Sequence, residues 1–112
     1  VWGSKGPTTF DCSGLCTWSY AQIGIGIPNG SRAQFAGMKP VDASALRPGD
    51  LIFFSIAGTD RIDHVGLLAD VNADGAWDLI HAASPELGVR VDYNVFASAY
   101  YRPKVRGFRT AR

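Results

Sequence analysis

At 112 residues, 46% of them hydrophobic and 12% aromatic, the chain can bury about two-thirds of its unfolded surface, enough for one core and not two. Thirteen glycines and six prolines cut it into short elements with no internal repeat, low-complexity run or apolar stretch approaching a membrane span, which excludes solenoid and membrane-spanning classes. A net charge of +1 and the lack of an interleaved aromatic platform set nucleic-acid binding aside.

The first element opens in Phe10-Asp11-Cys12-Ser13-Gly14-Leu15, where a Thr/Asp-rich turn gives way to helical spacing. Cys12, Leu15, Cys16, Tyr20 and Ile23 recur at three and four residues and predict a helix over about 12–23 with one apolar stripe, stopped by Gly24 and Gly26. A thiol at a helix start meets unpaired N–H groups and the positive end of the dipole, both of which favour thiolate, so Cys12 is a candidate nucleophile. The competing reading makes it a small buried hydrophobe, the usual fate of a free cysteine. Cys16 reads that way too, rather than as half of a bridge that would block Cys12, and Asp11 reads equally well as a helix cap. A short helix near 31–37 follows, then five strand-like runs from Asp50 onward. Pro48-Gly49-Asp50 is the turn that launches the first of these, with Leu51, Ile52, Phe53 and Phe54 as core.

The two histidines sit in consecutive strand-like runs, Ile62-Asp63-His64-Val65-Gly66-Leu67-Leu68 and Trp77-Asp78-Leu79-Ile80-His81-Ala82-Ala83, separated by the turn residues Asn72-Ala73-Asp74-Gly75. If those four residues form the loop, Val71 pairs with Ala76, His64 lies opposite Ala83, and His81 lies opposite Gly66. Both imidazoles then share a face as diagonal neighbours, roughly 7–8 Å apart at the backbone, and Gly66 leaves room for His81. A slip of one residue sends them to opposite faces. Asp63 points away from whatever His64 serves. The candidate catalytic order is Cys12, His64, His81.

Other features have plainer explanations. Asp70-Val71-Asn72-Ala73-Asp74-Gly75 matches the opening of a calcium loop, but His81 stands where the bidentate Glu belongs, and an Asn/Asp/Gly turn explains the same letters. Cys12, Cys16, His64 and His81 as a zinc site would make the chain a metal-stapled binding module, at intervals unlike a compact zinc finger. Arg102, Lys104, Arg106, Arg109 and Arg112 close the chain with no intervening acid. They read as the solvent face of a last strand plus a frayed tail, with attraction to anionic wall polymers as the alternative.

Helices before strands predict an α+β fold, a helix layer packed on one antiparallel sheet with Cys12 facing the histidines. With Val1-Trp2-Gly3, Leu46-Arg47-Pro48-Gly49-Asp50-Leu51-Ile52-Phe53-Phe54, His64-Val65-Gly66, Ile80-His81-Ala82-Ala83-Ser84 and Tyr100-Tyr101-Arg102 beside the cysteine motif, the chain resembles the NlpC family of bacterial cell-wall peptidases, papain-like thiol hydrolases. The resemblance spans nearly the whole chain, 1–112 as one catalytic domain. It implies Cys12 as nucleophile, His64 as general base and acid, and His81 as the residue that orients His64. It places Asp11 and Ser13 against the amine and carboxylate of a peptidoglycan stem peptide, whose γ-D-glutamyl bond to a diamino acid such enzymes cleave. It also implies a secreted, periplasmic or wall-associated monomer with no cofactor and no metal. Related domains carry an N-terminal helix and an aromatic residue, usually Tyr, ahead of the segment matched by Val1-Trp2-Gly3, so a trimmed start is expected here. The rival functions are a papain-like amidase or acyltransferase on another acyl donor and an inactive wall-binding domain.

Overall fold

Asp11 begins the first helix by satisfying it. Its backbone is extended and its Oδ1 accepts the Gly14 N–H at 2.6 Å, which fills one of the open donors of the first turn of α1, Cys12–Ala21. The computed structural model describes residues 11–84 and 88–112; Val1-Trp2-Gly3 and Phe10 of the motifs above lie outside them. The helix ends at Ala21, earlier than its spacing predicts. Gly24, at φ +79°, bends the chain so that Ile25 N–H returns to the Tyr20 carbonyl, a left-handed stop that suits glycine. Ile23 therefore leaves the stripe and is 70% exposed, whereas Leu15 and Cys16 are buried.

The second helix, α2 (Ser31–Gly37), lies where it is expected. Its buried Gln34 donates from Nε2 to the Pro28 carbonyl (3.0 Å), to Thr17 Oγ1 (3.2 Å) and to the Ser13 carbonyl (3.3 Å), fastening α2 to the start of α1. Both helices pack on an antiparallel sheet of six strands among the described residues, in the order β1-β6-β2-β3-β4-β5. The strands are β1 (Lys39–Pro40), β2 (Leu51–Phe54), β3 (His64–Ala69), β4 (Asp78–Ser84), β5 (Gly88–Asp92) and β6 (Val105–Thr110). The five runs predicted from Asp50 onward are β2 to β6. The added β1 is too short to show a period, and its Pro40 is tolerated because the strand lies at the sheet edge.

Every residue of β2 is fully buried, so both faces of the sheet are covered. Leu51 and Phe53 join Cys12, Cys16, Met38 and Val65 under the helices. Ile52 and Phe54 join Leu68, Leu79 and Val95 on the other side. That second face is roofed partly by two 3₁₀ turns, Val95–Ala97 and Arg102–Lys104, with Phe96, Tyr101 and Val105 packed against the cluster.

The β3–β4 pairing keeps the predicted register: Leu67 lies opposite Ile80, Leu68 opposite Leu79, and Ala69 opposite Asp78. The connection is longer than four residues, because the ladder ends at Ala69 and Asp78 and residues 70–77 stand outside it. Side-chain carboxylates explain the difference by taking donors that a longer ladder would have used. Asp70 accepts the N–H groups of Asp74 (3.1 Å) and Gly75 (2.9 Å). Buried Asp78 accepts those of Val71 (2.9 Å) and Asn94 (2.8 Å).

The closing basic residues do not form an alternating solvent row. Arg106 holds the Thr59 carbonyl through Nε and Nη2 (3.0 and 2.8 Å). Arg109 lies 3.7 Å over the Phe35 ring and donates to the Phe35 carbonyl. Arg112 pairs with buried Asp50 at 2.6 Å. Carbonyls, a ring face and one buried carboxylate have drawn these cations onto the protein.

A methyl group on Gly66 would stand 2.4 Å from Leu79 Cδ1, 3.0 Å from His81 Cβ and 3.0 Å from the Ile80 carbonyl oxygen. The leucine end can turn away, but the carbonyl cannot without moving β4. Gly66→Ala is expected to cost about 1–3 kcal/mol and to push His81 out of place; thermal melting with an activity assay checks both effects.

Candidate active site

β3 begins at His64, and the β4 residue across from Gly66 is His81, whose Cβ occupies the space that glycine leaves open. The two imidazoles meet directly: His64 Nε2 lies 2.7 Å from His81 Nδ1, with the rings edge to face at 5.0 Å. Both side chains are buried, at 5% and 1% exposure. Phe54 stands 5.8 Å from the His64 ring, and Tyr101 stands 5.7 Å from the His81 ring, so an aromatic wall keeps water from one side of the pair.

Cys12 comes to the same strand from the helix side. Its sulfur faces backbone N–H groups of Val65, Ser13 and Cys12 itself, which places it one peptide along from His64. The sequence thus brings Cys12, His64 and His81 to one end of β3 and β4. Asp11 and Ser13 flank the cysteine as predicted. Asp11 serves as the helix cap, and Ser13 is buried at 4% exposure with its hydroxyl 3.5 Å from Asp11 Oδ1. Asp63 is directed elsewhere, its carboxylate accepting the N–H groups of Ile56 (2.6 Å) and Ala57 (3.0 Å).

A helix start alone does not make Cys12 a thiolate. Burial pushes the thiol up from its ordinary value of 9.0, and the neighbouring Asp11 charge adds to the effect, outweighing the N–H groups around the sulfur. Burial, then the nearby His81, lowers His64 to about 4. Burial also lowers His81, against the upward pull of Asp92. At rest Cys12 is therefore a neutral thiol, and His64 and His81 are neutral imidazoles. Cys16 is fully buried and its thiol is pushed far up by burial, as befits a core side chain.

Asp92, absent from the sequence-based candidates, lies 2.6 Å from His81 Nε2. The signal was present in Val89-Arg90-Val91-Asp92, a strand-like run whose pairing puts Arg90 opposite His81 and Asp92 two residues further along. The zinc grouping does not assemble. Among the described residues, the group of three or more possible ligands that gathers within 4.8 Å is Asp70, Asp74 and Asp78, and their carboxylates bind loop N–H groups.

The family model for the NlpC/P60 family matches residues 1–110. The chain belongs to the NlpC/P60 family. A probable endopeptidase of Corynebacterium glutamicum is 41% identical over 101 residues, covering 88% of this chain and 44% of that protein. Among solved NlpC/P60 structures, a lipoprotein-like protein from Staphylococcus aureus superposes with a TM-score of 0.78 at 31% identity, over 99% of this chain and 35% of its own. The NlpC/p60 domain of the peptidoglycan hydrolase SagA superposes with a TM-score of 0.71 at 28% identity, over 98% of this chain and 84% of its own. The chain thus spans less than half of the Corynebacterium relative. Among the described residues no helix is long and apolar enough to cross a membrane.

His64 takes up its proton near pH 6.5 when unfolded and near pH 4 when folded. Between those values the unfolded chain holds more protons, so stability present above pH 6.5 is lost as pH falls through the window, on the order of 3 kcal/mol at full extent. The melting temperature is expected to drop from pH 6.5 to pH 4, and to drop less in His64→Gln. Scanning calorimetry across that range is the check.

Proposed function

We propose that this NlpC/P60 domain is a cysteine endopeptidase acting on peptidoglycan, hydrolysing the stem-peptide amide between γ-D-glutamate and a diamino acid through a thioester. The observation that carries the reading is the 2.7 Å bond between His64 and His81 at the strand whose next N–H, from Val65, faces the Cys12 sulfur. A nucleophile with a base beside it, and a third group to hold the base, is the minimum that acyl transfer requires. The names of its relatives support the substrate: a probable endopeptidase and a peptidoglycan hydrolase.

The reaction starts from the neutral pair. His64 removes the thiol proton as Cys12 attacks the carbonyl, and the resulting imidazolium protonates the departing amine. His64 then activates water to break the thioester. The Cys12 N–H at the helix start is the oxyanion donor, and one such donor is typically worth about 10²–10³ in rate. Asp11 and Ser13 are the proposed contacts for the stem peptide's amine and carboxylate. Asp11 is half-buried while Ser13 is 4% exposed, so Asp11 is the one a substrate reaches. On this reading the domain works outside the cytoplasm, in the periplasm or at the wall.

The test is mass spectrometry of diaminopimelate-containing muropeptides incubated with the chain and with Cys12→Ala under reducing conditions. Cleavage between D-glutamate and the diamino acid, abolished in Cys12→Ala and reduced at least about 10³-fold in His64→Gln, is the expected result. Intact muropeptides, or cleavage that survives in Cys12→Ala, would overturn the reading. Because His64 stays neutral to about pH 4, the acid limb of kcat/KM is expected below pH 6.5.

A further inference from the structure

The hydrogen-bonded pair of imidazoles continues into a carboxylate. His81 Nε2, on the side away from His64, lies 2.6 Å from Asp92 Oδ2 on β5. The Tyr101 hydroxyl donates to the same oxygen at 3.3 Å, and Arg90 Nη2 donates to Oδ1 at 3.1 Å. The Tyr101 ring stands edge-on to His81, and buried Phe54 backs both Tyr101 and His64.

We propose that Asp92 is a positioning residue that fixes the tautomers of both histidines and so decides which nitrogen of His64 serves as the base. The inference rests on the Cys12, His64, His81 reading above. Its logic is donor bookkeeping along two contacts. A carboxylate only accepts, so His81 Nε2 carries a proton. A neutral imidazole has one N–H, so His81 Nδ1 presents a lone pair, and the 2.7 Å contact obliges His64 Nε2 to carry the proton there. His64 Nδ1 is then left bare to receive the proton of Cys12. One carboxylate, two strands away from the strand of His64, sets two proton positions.

The surroundings serve the same end. A charged His81 would turn Nδ1 into a donor and reverse the order. Burial opposes that charge, and the Arg90 cation, which shares Asp92 with His81, opposes it further. Tyr101 is held up to about 12, by burial first and then by Asp92, so it remains a hydroxyl that donates to the carboxylate. The titratable and charged groups facing His81 are thus His64, Asp92, Arg90 and Tyr101, with Asp63 acting on His64.

Asp92→Asn tests this with almost no change in shape. The amide can donate to His81 Nε2, which moves the His81 proton to Nδ1 and the His64 proton to Nδ1 in turn. The tautomers are read by two-bond ¹H–¹⁵N correlation at pH 7.5 on the full chain, and Cys12 reactivity by alkylation with iodoacetamide against pH. Neither readout needs a peptidoglycan substrate. Wild type is expected as the Nε2–H tautomer at both histidines. The variant is expected to gain the Nδ1–H form at both, with Cys12 alkylation near neutral pH lowered, and kcat on muropeptides lowered by up to about 10⁴-fold with KM little changed. An Nδ1–H tautomer at either histidine in wild type would overturn the proposal without any variant. So would a folded Asp92→Asn with wild-type tautomers and a wild-type alkylation profile. Loss of the expected muropeptide cleavage in wild type, with the tautomer response intact, would count against the substrate and not against Asp92.

Discussion

A strand with every side chain buried has no solvent face to offer, and β2 is such a strand. Its neighbours must cover two apolar surfaces at once. The helices cover one, and the segment from Asn94 to Lys104 helps to roof the other. This double cover keeps His64 and His81 dry, because Phe54, the last residue of β2, pairs with His64 and also touches Tyr101 from the opposite layer. In that low-dielectric seam the neutral imidazole is favoured, and a hydrogen bond between rings is stronger than the same bond in water. The chemistry of the site is thus a consequence of where the sheet's central strand lies.

Charges outside the site are spent on holding loops. Asp50 is buried yet accepts the Arg47 N–H at 2.9 Å and an Arg112 guanidinium at 2.6 Å. That ties the turn before β2 to the end of the chain. The Tyr20 hydroxyl reaches the Gly49 carbonyl from α1, so the helix that carries Cys12 and this turn are fixed to each other. Asp63 does for the β2–β3 connection what Asp78 does for the next one, binding backbone N–H groups that the sheet leaves open. Such bonds are to charged acceptors and are worth more than neutral ones.

What could be read in advance followed from periodicity and pairing arithmetic. The helix start at Cys12, the α2 segment, the burial of Leu51 to Phe54 and the β3–β4 register all depend on local spacing, and local spacing is what a sequence displays. Ile23 was misplaced because the apolar pattern runs on past the point where Gly24 turns the backbone. The basic tail was misread because charge in a sequence does not reveal that a carbonyl, a ring or a buried acid waits to receive it. Asp92 was missed for a different reason: it belongs to no motif, and it becomes visible only when the β4–β5 register is worked out beside the β3–β4 one. His64, His81 and Asp92 then fall on a single oblique line across three strands, each step shifting by two residues, as the pairings of β3 with β4 and of β4 with β5 require.

That oblique line has an implication for variation in chain length. Residues 70–77 stand outside the ladder, while Leu67–Ala69 against Asp78–Ile80 holds the offset. Extra residues inserted at the tip of that connection lengthen an excursion without sliding one strand along the other, and loop closure grows only slowly with length. A single residue added within β4 between Asp78 and His81 would instead turn His81 to the wrong face. Peptides or small domains can therefore be grafted at the tip, at the far end of β3 and β4 from His64, without disturbing the alignment of the site.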